Sequence, residues 1–133
     1  MTYFLDTNIV SYLLKGDESV KAKIAGKLWQ GDDVKIPRIV YYEVKRGLLA
    51  KTATSKLDRF VHLAELLGTV NLTDTALDIA AEIYADLAQE GLLIEDDDIF
   101  IGAMSLEHNA VLVTNNERHL GRITDLRVEN WSV

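Results

Sequence analysis

The sequence of 133 residues contains no cysteine, one proline and no long hydrophobic run. Without cysteine the chain forms neither disulfide bonds nor thiolate metal sites, which suits the reducing cytoplasm where we expect it to act. The N-terminus has no basic segment ahead of an apolar one, and no apolar stretch approaches the ~20 residues of a membrane-spanning helix. We therefore expect no signal peptide, no membrane association and a single domain over residues 1–133.

The motifs of several enzyme classes are also missing. The sequence has no His-Glu-x-x-His motif, no pair of histidines at zinc spacing, no glycine-rich phosphate loop and no Gly-x-Ser-x-Gly elbow. We therefore do not expect a zinc protease, a P-loop nucleotide-binding enzyme or a serine hydrolase of the α/β type.

The net charge of −7 is distributed unevenly. Residues 15–59 hold 11 of the 14 lysines and arginines but 6 of the 21 acids, a local net charge of +5, and the rest of the chain carries −12. A basic stretch beside an acidic half could bind phosphate with one part and cations with the other. Solvated helix faces would give the same distribution, so the charge alone does not select a function.

Short apolar strands alternate with helices along the chain. Tyr3-Phe4-Leu5 is a buried strand followed at once by a helix from Thr7 to about Lys15. Further strands are predicted at residues 34–36, 70–72, 111–113 and 127–129, and further helices at about 20–30, 37–50, 54–67, 73–90 and 95–108. This alternation predicts an α/β/α sandwich with a parallel, mostly five-stranded sheet covered by helices on both faces.

Two helices carry local predictions of their own. Pro37 is predicted to begin its helix, at the position where its missing N–H costs least. The helix after Thr73 is predicted to bury one apolar face, formed by Leu77, Ala80, Ala81, Tyr84, Leu87 and Ala88.

Polar residues follow the strands at the edge where parallel α/β folds bind their ligands. Asp6 comes directly after the first predicted strand, and Asn115 and Asn116 come shortly after the fourth. The backbone would hold Asp6 rigidly at the sheet edge. An aspartate at this place is also a good N-cap for the helix that begins at Thr7, so its function stays open on this ground alone.

Two further acidic features are candidates for function. The run Glu95-Asp96-Asp97-Asp98 opens a helix, and four adjacent acids exceed what a helix N-terminus needs. Their mutual repulsion raises their pKa values or calls for a cation, and a hard divalent ion such as Mg²⁺ or Mn²⁺ is the natural counter-charge. Glu43 projects into the apolar arc of its helix, where a carboxylate is either a placed functional group or a partly exposed residue at the rim.

Five segments of the chain resemble the PIN domain of VapC-type toxins in order and spacing. They are Phe4-Leu5-Asp6-Thr7-Asn8, Tyr42-Glu43-Val44-Lys45-Arg46-Gly47, residues 94–103, Val113-Thr114-Asn115-Asn116 and Val128-Glu129-Asn130-Trp131. The resemblance covers essentially the whole chain. Its most specific parts are the opening Leu-Asp-Thr-Asn and the combination of Asp-Ile-Phe-Ile-Gly-Ala with Thr-Asn-Asn.

The resemblance implies the toxin of a type II toxin–antitoxin system. Such toxins are Mg²⁺- or Mn²⁺-dependent endoribonucleases, so the implied substrate is RNA, with tRNA as one candidate. The implied partners are a cognate VapB-like antitoxin, operator DNA reached only through that antitoxin, and a second copy of the chain in a homodimer.

The resemblance also implies roles for individual residues. The acids implied to bind the metal and to catalyse are Asp6, Glu43 and Asp98, with Asp96 as a further metal ligand. The residues implied to contact the substrate are Asn8, Thr114, Asn116 and Arg46. Many PIN domains carry a fourth acid where Asn116 stands, which leaves open whether a second metal ion is tightly held. The alternative that the sequence leaves open is a PIN-like module that binds RNA or protein without cleaving anything.

Overall fold

A computed structural model describes residues 1–132 of the chain. Over these residues, strands alternate with helices. The strands are β1 (Thr2–Leu5), β2 (Asp33–Pro37), β3 (Thr69–Val70), β4 (Val111–Val113) and β5 (Val128–Glu129). The helices are α1 (Thr7–Leu14), α2 (Glu18–Trp29), α3 (Arg38–Ala50), α4 (Thr54–Leu67), α5 (Asp74–Glu90), α6 (Asp96–Glu107) and α7 (Glu117–Leu120). No helix in this part of the chain is long and apolar enough to cross a membrane.

The strands form one parallel sheet in the order β3-β2-β1-β4-β5. The chain adds β2 and β3 on one side of β1 and then adds β4 and β5 on the other, so the strand order reverses between β1 and β4. Leu5 of β1 pairs with Val113 of β4. The next residues, Asp6 and Thr114, therefore leave the sheet side by side at the edge where such folds bind ligands.

The centre of this sheet is also the centre of the hydrophobic core. Phe4 and Leu5 of β1 and Leu112 of β4 have no exposed surface. Among the helices, α5 packs on α6, and α3 packs on both α1 and α4. The predicted α/β sandwich with a parallel five-stranded sheet is confirmed.

Two local predictions are wrong, and one short helix was not predicted. Pro37 is the last residue of β2 and the N-cap of α3, because its ψ of 142° continues the strand and does not begin the helix. Strand β3 covers Thr69–Val70 and not residues 70–72, because these two residues pair with the end of β2. Helix α7 was not predicted, since four residues are too few to show helical periodicity.

The apolar face predicted for α5 is half wrong. Ala80 and Leu87 are buried as expected, but Leu77 and Tyr84 are 43% and 48% exposed. Ile83 belongs to the buried face in their place. The helix carries two overlapping apolar stripes, and packing against α6 covers only one of them.

A glycine in α6 allows close packing against the segment that follows α7. A Cβ atom at Gly102 would lie 2.5 Å from Cδ1 of Ile123, and Ile123 is itself buried. Gly26 lies on the exposed side of α2, and a Cβ atom there would meet nothing within 4 Å. The two helical glycines therefore differ in packing but not in backbone conformation.

We expect Gly102→Val to lower the free energy of unfolding by about 1–3 kcal/mol, because the new side chain overpacks a closed contact. The matched variant Gly26→Val should change the stability little, since valine has room there and is a slightly better helix former than glycine. Urea denaturation followed by circular dichroism measures both. Equal transition midpoints for the two variants would contradict the tight contact with Ile123.

Candidate active site

Asp6 lies at the end of β1 with 4% of its surface exposed, and three neighbours donate hydrogen bonds to it. Its Oδ1 accepts from the backbone N–H of Thr7 at 2.8 Å. Its Oδ2 accepts from Oγ1 of Thr114 at 2.7 Å and from Nδ2 of Asn8 at 3.2 Å. Asp6 is thus the N-cap of α1, and its second oxygen is also fixed at the carboxyl edge of the sheet.

Asn8 and Thr114, expected to contact the substrate, are engaged with Asp6 and with each other. Oγ1 of the fully buried Thr114 also accepts from Nδ2 of Asn8 at 3.3 Å and from the backbone N–H of Asn116 at 3.0 Å. Oδ1 of Asn8 accepts from the backbone N–H of Asn115 at 2.9 Å. These bonds tie the loop after β4 to the start of α1, so the two side chains position Asp6.

Glu43, on α3, reaches the same edge of the sheet. Its Oε1 accepts a hydrogen bond from Oγ1 of Thr7 at 2.7 Å. Burial raises the pKa of Glu43 to about 7, together with a hydrogen bond to the carboxyl group of Asp97 and the negative charges of Asp97 and Asp6. The hydrogen bond to Asp97 therefore favours a proton on the carboxyl group of Glu43 near neutral pH.

Asp97 and Asp98 stand in the first turn of α6. Burial raises the pKa of Asp98 to about 6, and the negative charges of Asp6, Asp97 and Glu95 contribute to the rise. Burial also raises the pKa of Asp6, against the opposing effect of its three hydrogen bonds. Four carboxyl groups therefore repel one another at one end of the sheet. We call them the carboxylate cluster: Asp6, Glu43, Asp97 and Asp98.

The structure brings together the three acids implied to be catalytic and adds Asp97, which the sequence indicated only as a member of the acidic run. Asp97 contacts Glu43 and interacts by charge with Asp6 and Asp98. Helical spacing could have pointed to it, because Asp97 precedes the apolar residues Ile101 and Met104 by four and seven positions.

Two other expected site residues lie in an open cleft of about 420 Å³ between α3 and α6, beside the carboxylate cluster. Asp96 is exposed there, and Arg46 lies one helical turn after Glu43. Asn116, the fourth residue expected to contact the substrate, lies nearby after β4, with its Nδ2 3.3 Å from Nδ1 of His119. A guanidinium beside the acids could bind a phosphate that the acids alone would repel.

The chemistry of the carboxylate cluster fits a hard divalent cation, because carboxylate oxygens are preferred ligands of Mg²⁺ and Mn²⁺. The side chains are not positioned around a single ion, since within residues 1–132 no three His, Cys, Asp or Glu side chains are arranged to hold one. Glu43 instead holds a proton up to about pH 7. A cation at this place would have to replace that proton and draw the side chains toward itself.

Known proteins resemble this chain in sequence over most of its length. The family model of the PIN domain matches residues 3–126. The chain belongs to the PIN-domain family. Ribonuclease VapC2 of Rickettsia felis (strain ATCC VR-1525 / URRWXCal2) is 30% identical to this PIN domain over 135 residues, which is 98% of each chain. The tRNA(fMet)-specific endonuclease VapC of Shigella flexneri is 26% identical over 137 residues, which is 99% of each chain.

A solved structure supports the same grouping. The crystal structure of VapBC2 from Rickettsia felis bound to a DNA fragment from their promoter superposes on this PIN domain with a TM-score of 0.88 and 30% identity. The match covers 98% of this chain and 99% of that chain. The resemblance to PIN domains of the VapC type, inferred from the sequence, is confirmed.

The raised pKa values predict an unusual dependence of stability on pH in the absence of metal. Glu43 and Asp98 titrate at about 7 and about 6 in the folded chain, above the ordinary values of 4.5 and 3.8. At pH values between the ordinary and the raised pKa of each group, the folded state binds more protons than the unfolded state. Stability therefore rises as the pH falls from about 7.5 to about 5. With EDTA present, the melting temperature should therefore increase over this range.

Glu43→Gln should flatten this increase, because it removes the carboxyl group whose pKa is raised to about 7. The control variant Glu82→Gln, on the exposed side of α5, should keep the wild-type profile. A wild-type melting temperature that decreases as the pH is lowered over this range would contradict the repulsion between the four acids.

Proposed function

We propose that this PIN domain is the toxin of a type II toxin–antitoxin system and an endoribonuclease of the cytoplasm, with residues 1–133 as one nuclease domain. The observation that carries the proposal is the carboxylate cluster at the switch point of the sheet, where burial and neighbouring negative charges raise the pKa values of Asp6, Glu43 and Asp98. The similarity to proteins named ribonuclease and endonuclease VapC over nearly the whole chain supports the same activity.

We propose Mg²⁺ or Mn²⁺ as the cofactor, held by Asp6, Glu43 and Asp97. Asp98 adds negative charge and is the alternative ligand on α6 that the sequence favoured, whereas the exposed Asp96 is the weaker candidate. Such an ion, when bound, neutralises charge on the phosphate and lowers the pKa of a water molecule. At neutral pH the proton on Glu43 has to leave before its carboxylate can act as a ligand.

The residues around the cluster hold its acids in place or would contact RNA directly. Thr7 holds Glu43, and Asn8 and Thr114 hold Asp6, through hydrogen bonds of 2.7 to 3.2 Å. Arg46 would bind a phosphate oxygen at the rim of the cleft. Asn116 would contact the RNA backbone, since it lies at the same edge and carries no charge that would repel a phosphate.

We propose hydrolysis by water, which leaves a 5′-phosphate and a 3′-hydroxyl group. This reaction does not use the ribose 2′-hydroxyl as nucleophile. Transfer RNA is the first substrate to test, because one relative is named for that specificity.

A VapB-like antitoxin is the proposed partner, and operator DNA would be bound through it, since the Rickettsia felis relative was solved as a VapBC2 complex on promoter DNA. We also propose that two copies of the chain form a homodimer. Co-expression with the product of a small neighbouring gene tests the first point. The product should co-purify with this chain and suppress its cleavage of RNA.

A second candidate function is a PIN-like module that binds RNA or protein without cleaving. The observation in its favour is that no three potential ligands within residues 1–132 are already arranged around one ion. Against it stands the convergence of Asp6, Glu43 and Asp97 from three separate elements, since binding RNA does not require buried acids that repel one another.

We expect Asp6→Asn and Asp97→Asn to lower the rate of tRNA cleavage by at least about 100-fold, because each removes a charged ligand oxygen. Both variants should fold, since asparagine at position 6 still caps α1. Asp96→Asn is the matched control and should stay near the wild-type rate. Gel assays with Mn²⁺ give the rates, and circular dichroism checks the fold.

Asp98→Asn separates the sequence-based assignment from the geometric one. We expect a smaller loss than for Asp97→Asn, because Asp97 is the residue that contacts Glu43. An inactive Asp98→Asn beside an active Asp97→Asn would return the ligand role to Asp98.

Removal of the cation should abolish cleavage. We expect no product with EDTA, recovery with Mn²⁺ or Mg²⁺, and continued cleavage of RNA that carries a 2′-deoxy nucleotide at the scissile position. If the purified chain binds tRNA and total RNA but leaves them intact with either metal, the binding module becomes the better account.

A further inference from the structure

Tyr42 is an exposed aromatic residue in the cleft beside the carboxylate cluster. It lies on α3 directly before Glu43, and 58% of its surface is exposed. It shares the cleft with Ile39 and Phe100, which are both partly buried. A ring in this position contributes little to the core, so its place next to the acids needs another explanation.

Arg46 covers part of this ring. Its guanidinium carbon lies 5.1 Å from the centroid of the Tyr42 ring, one helical turn further along α3. A cation held over the face of a phenol ring is attracted by its π electrons, which fixes both side chains. No ring–ring contact found within residues 1–132 involves Tyr42, so its ring is not stacked on another aromatic residue.

The neighbouring Tyr41 shows what a structural role would look like. Its ring also has cations over it, with Arg38 at 4.2 Å and Lys45 at 5.5 Å from the centroid. Tyr41 packs against the fully buried Phe60, with ring centroids 5.3 Å apart, and therefore belongs to the edge of the core. Tyr42 has no such contact and faces the cleft.

We propose that Tyr42, backed by Arg46, is a stacking platform for one nucleobase of single-stranded RNA, next to the phosphate at the carboxylate cluster. This inference rests on the proposed ribonuclease function. Proteins hold single-stranded RNA by stacking its bases on aromatic side chains while cations bind its phosphates. Here one cation and one ring are already paired on a single helix.

The charges in the cleft favour a base on Tyr42 and a phosphate on Arg46. Arg46 contacts Tyr42 and also interacts by charge with Glu43 and Asp97, so its guanidinium connects the ring with the cluster. A phosphate bound to Arg46 would place the attached nucleotide within reach of Tyr42. Glu95 and Asp96 lie on the opposite wall of the cleft and would repel a phosphate placed at the ring. They do not repel a base, because a base is uncharged.

Stacking of this kind has a defined consequence for specificity. Every base has a π face, so Tyr42 would strengthen binding of unpaired RNA with little preference among sequences. Tyr42 would not strengthen binding of paired RNA, because the bases of paired RNA are already stacked on one another. Tyr42 is therefore a positioning residue that selects single-stranded segments, and its loss should raise KM more than it lowers kcat.

Binding is measured without cleavage in the Asp6→Asn background. The probe is a fluorescein-labelled single-stranded RNA of mixed sequence, about 12 nucleotides long, which is followed by fluorescence anisotropy. We expect Tyr42→Ala to weaken binding about 10-fold and Tyr42→Phe to stay within about twofold, because phenylalanine keeps the π face. Tyr84→Ala is the matched control on α5, where the tyrosine is also about half exposed but lies outside the cleft.

A double-mutant cycle locates the stacked base. In a series of probes, each with one abasic nucleotide, one abasic position should weaken binding to the chain with Tyr42 but not to the Tyr42→Ala variant. Losses that simply add at every position, or an unchanged affinity of Tyr42→Ala, would overturn the proposal. A change in oligomeric mass with unchanged RNA affinity would also overturn it and would assign Tyr42 to a protein contact.

Cleavage by the chain with Asp6 intact separates this inference from the function on which it rests. Normal KM and kcat in Tyr42→Ala would refute the platform and leave the ribonuclease proposal standing. Binding that depends on Tyr42, with no cleavage under any metal, would refute the ribonuclease and retain the platform. Failure of every variant to bind the probe refutes the platform whatever the cleavage assay shows.

Discussion

Four carboxyl groups are held together at the edge of a parallel sheet, where water screens their mutual repulsion only in part. Burial is the largest cause of the raised pKa of Asp6, Glu43 and Asp98, and neighbouring acids increase it further. Separating these groups would relieve the repulsion, but each is fixed by an element of the core. The sheet sets Asp6, and the packing of α3 and α6 sets the others. Strain of this kind is typical of functional sites and is sustained by the rest of the fold.

Neutral hydrogen-bond donors make this arrangement tolerable. Thr7 and Thr114 donate their hydroxyl groups to Glu43 and Asp6, and Asn8 adds an amide donor. These bonds favour the charged carboxylates without introducing a positive charge that would compete with a cation for them. The cluster also reaches four acids without one at position 116, because α6 supplies both Asp97 and Asp98. Asn116 therefore need not weaken the negative field at this edge.

The basic and acidic parts of the chain meet in the cleft. Arg46 belongs to the basic stretch of residues 15–59 and Asp97 to the acidic half, yet α3 and α6 bring them to the same site. A net charge of −7 is compatible with a substrate of the same sign when a cation neutralises the acids and an arginine meets the phosphate. The exposed ring of Tyr42 adds a surface for the uncharged part of a nucleotide.

The sequence by itself determined the alternation of strands and helices, the parallel sheet that this alternation predicts, and the placement of Asp6 at a strand end, because hydrophobic periodicity depends on neighbouring residues. It also pointed to Glu43 and to the acidic run. Only the tertiary structure decided which acids of that run face the site, which apolar stripe of α5 is buried, and that Asn8 and Thr114 hold Asp6. The first two outcomes depend on how α6 is rotated against α3 and α5, and the third depends on the pairing of β1 with β4. That rotation is set by contacts between residues far apart in the chain, on which local periodicity carries no information.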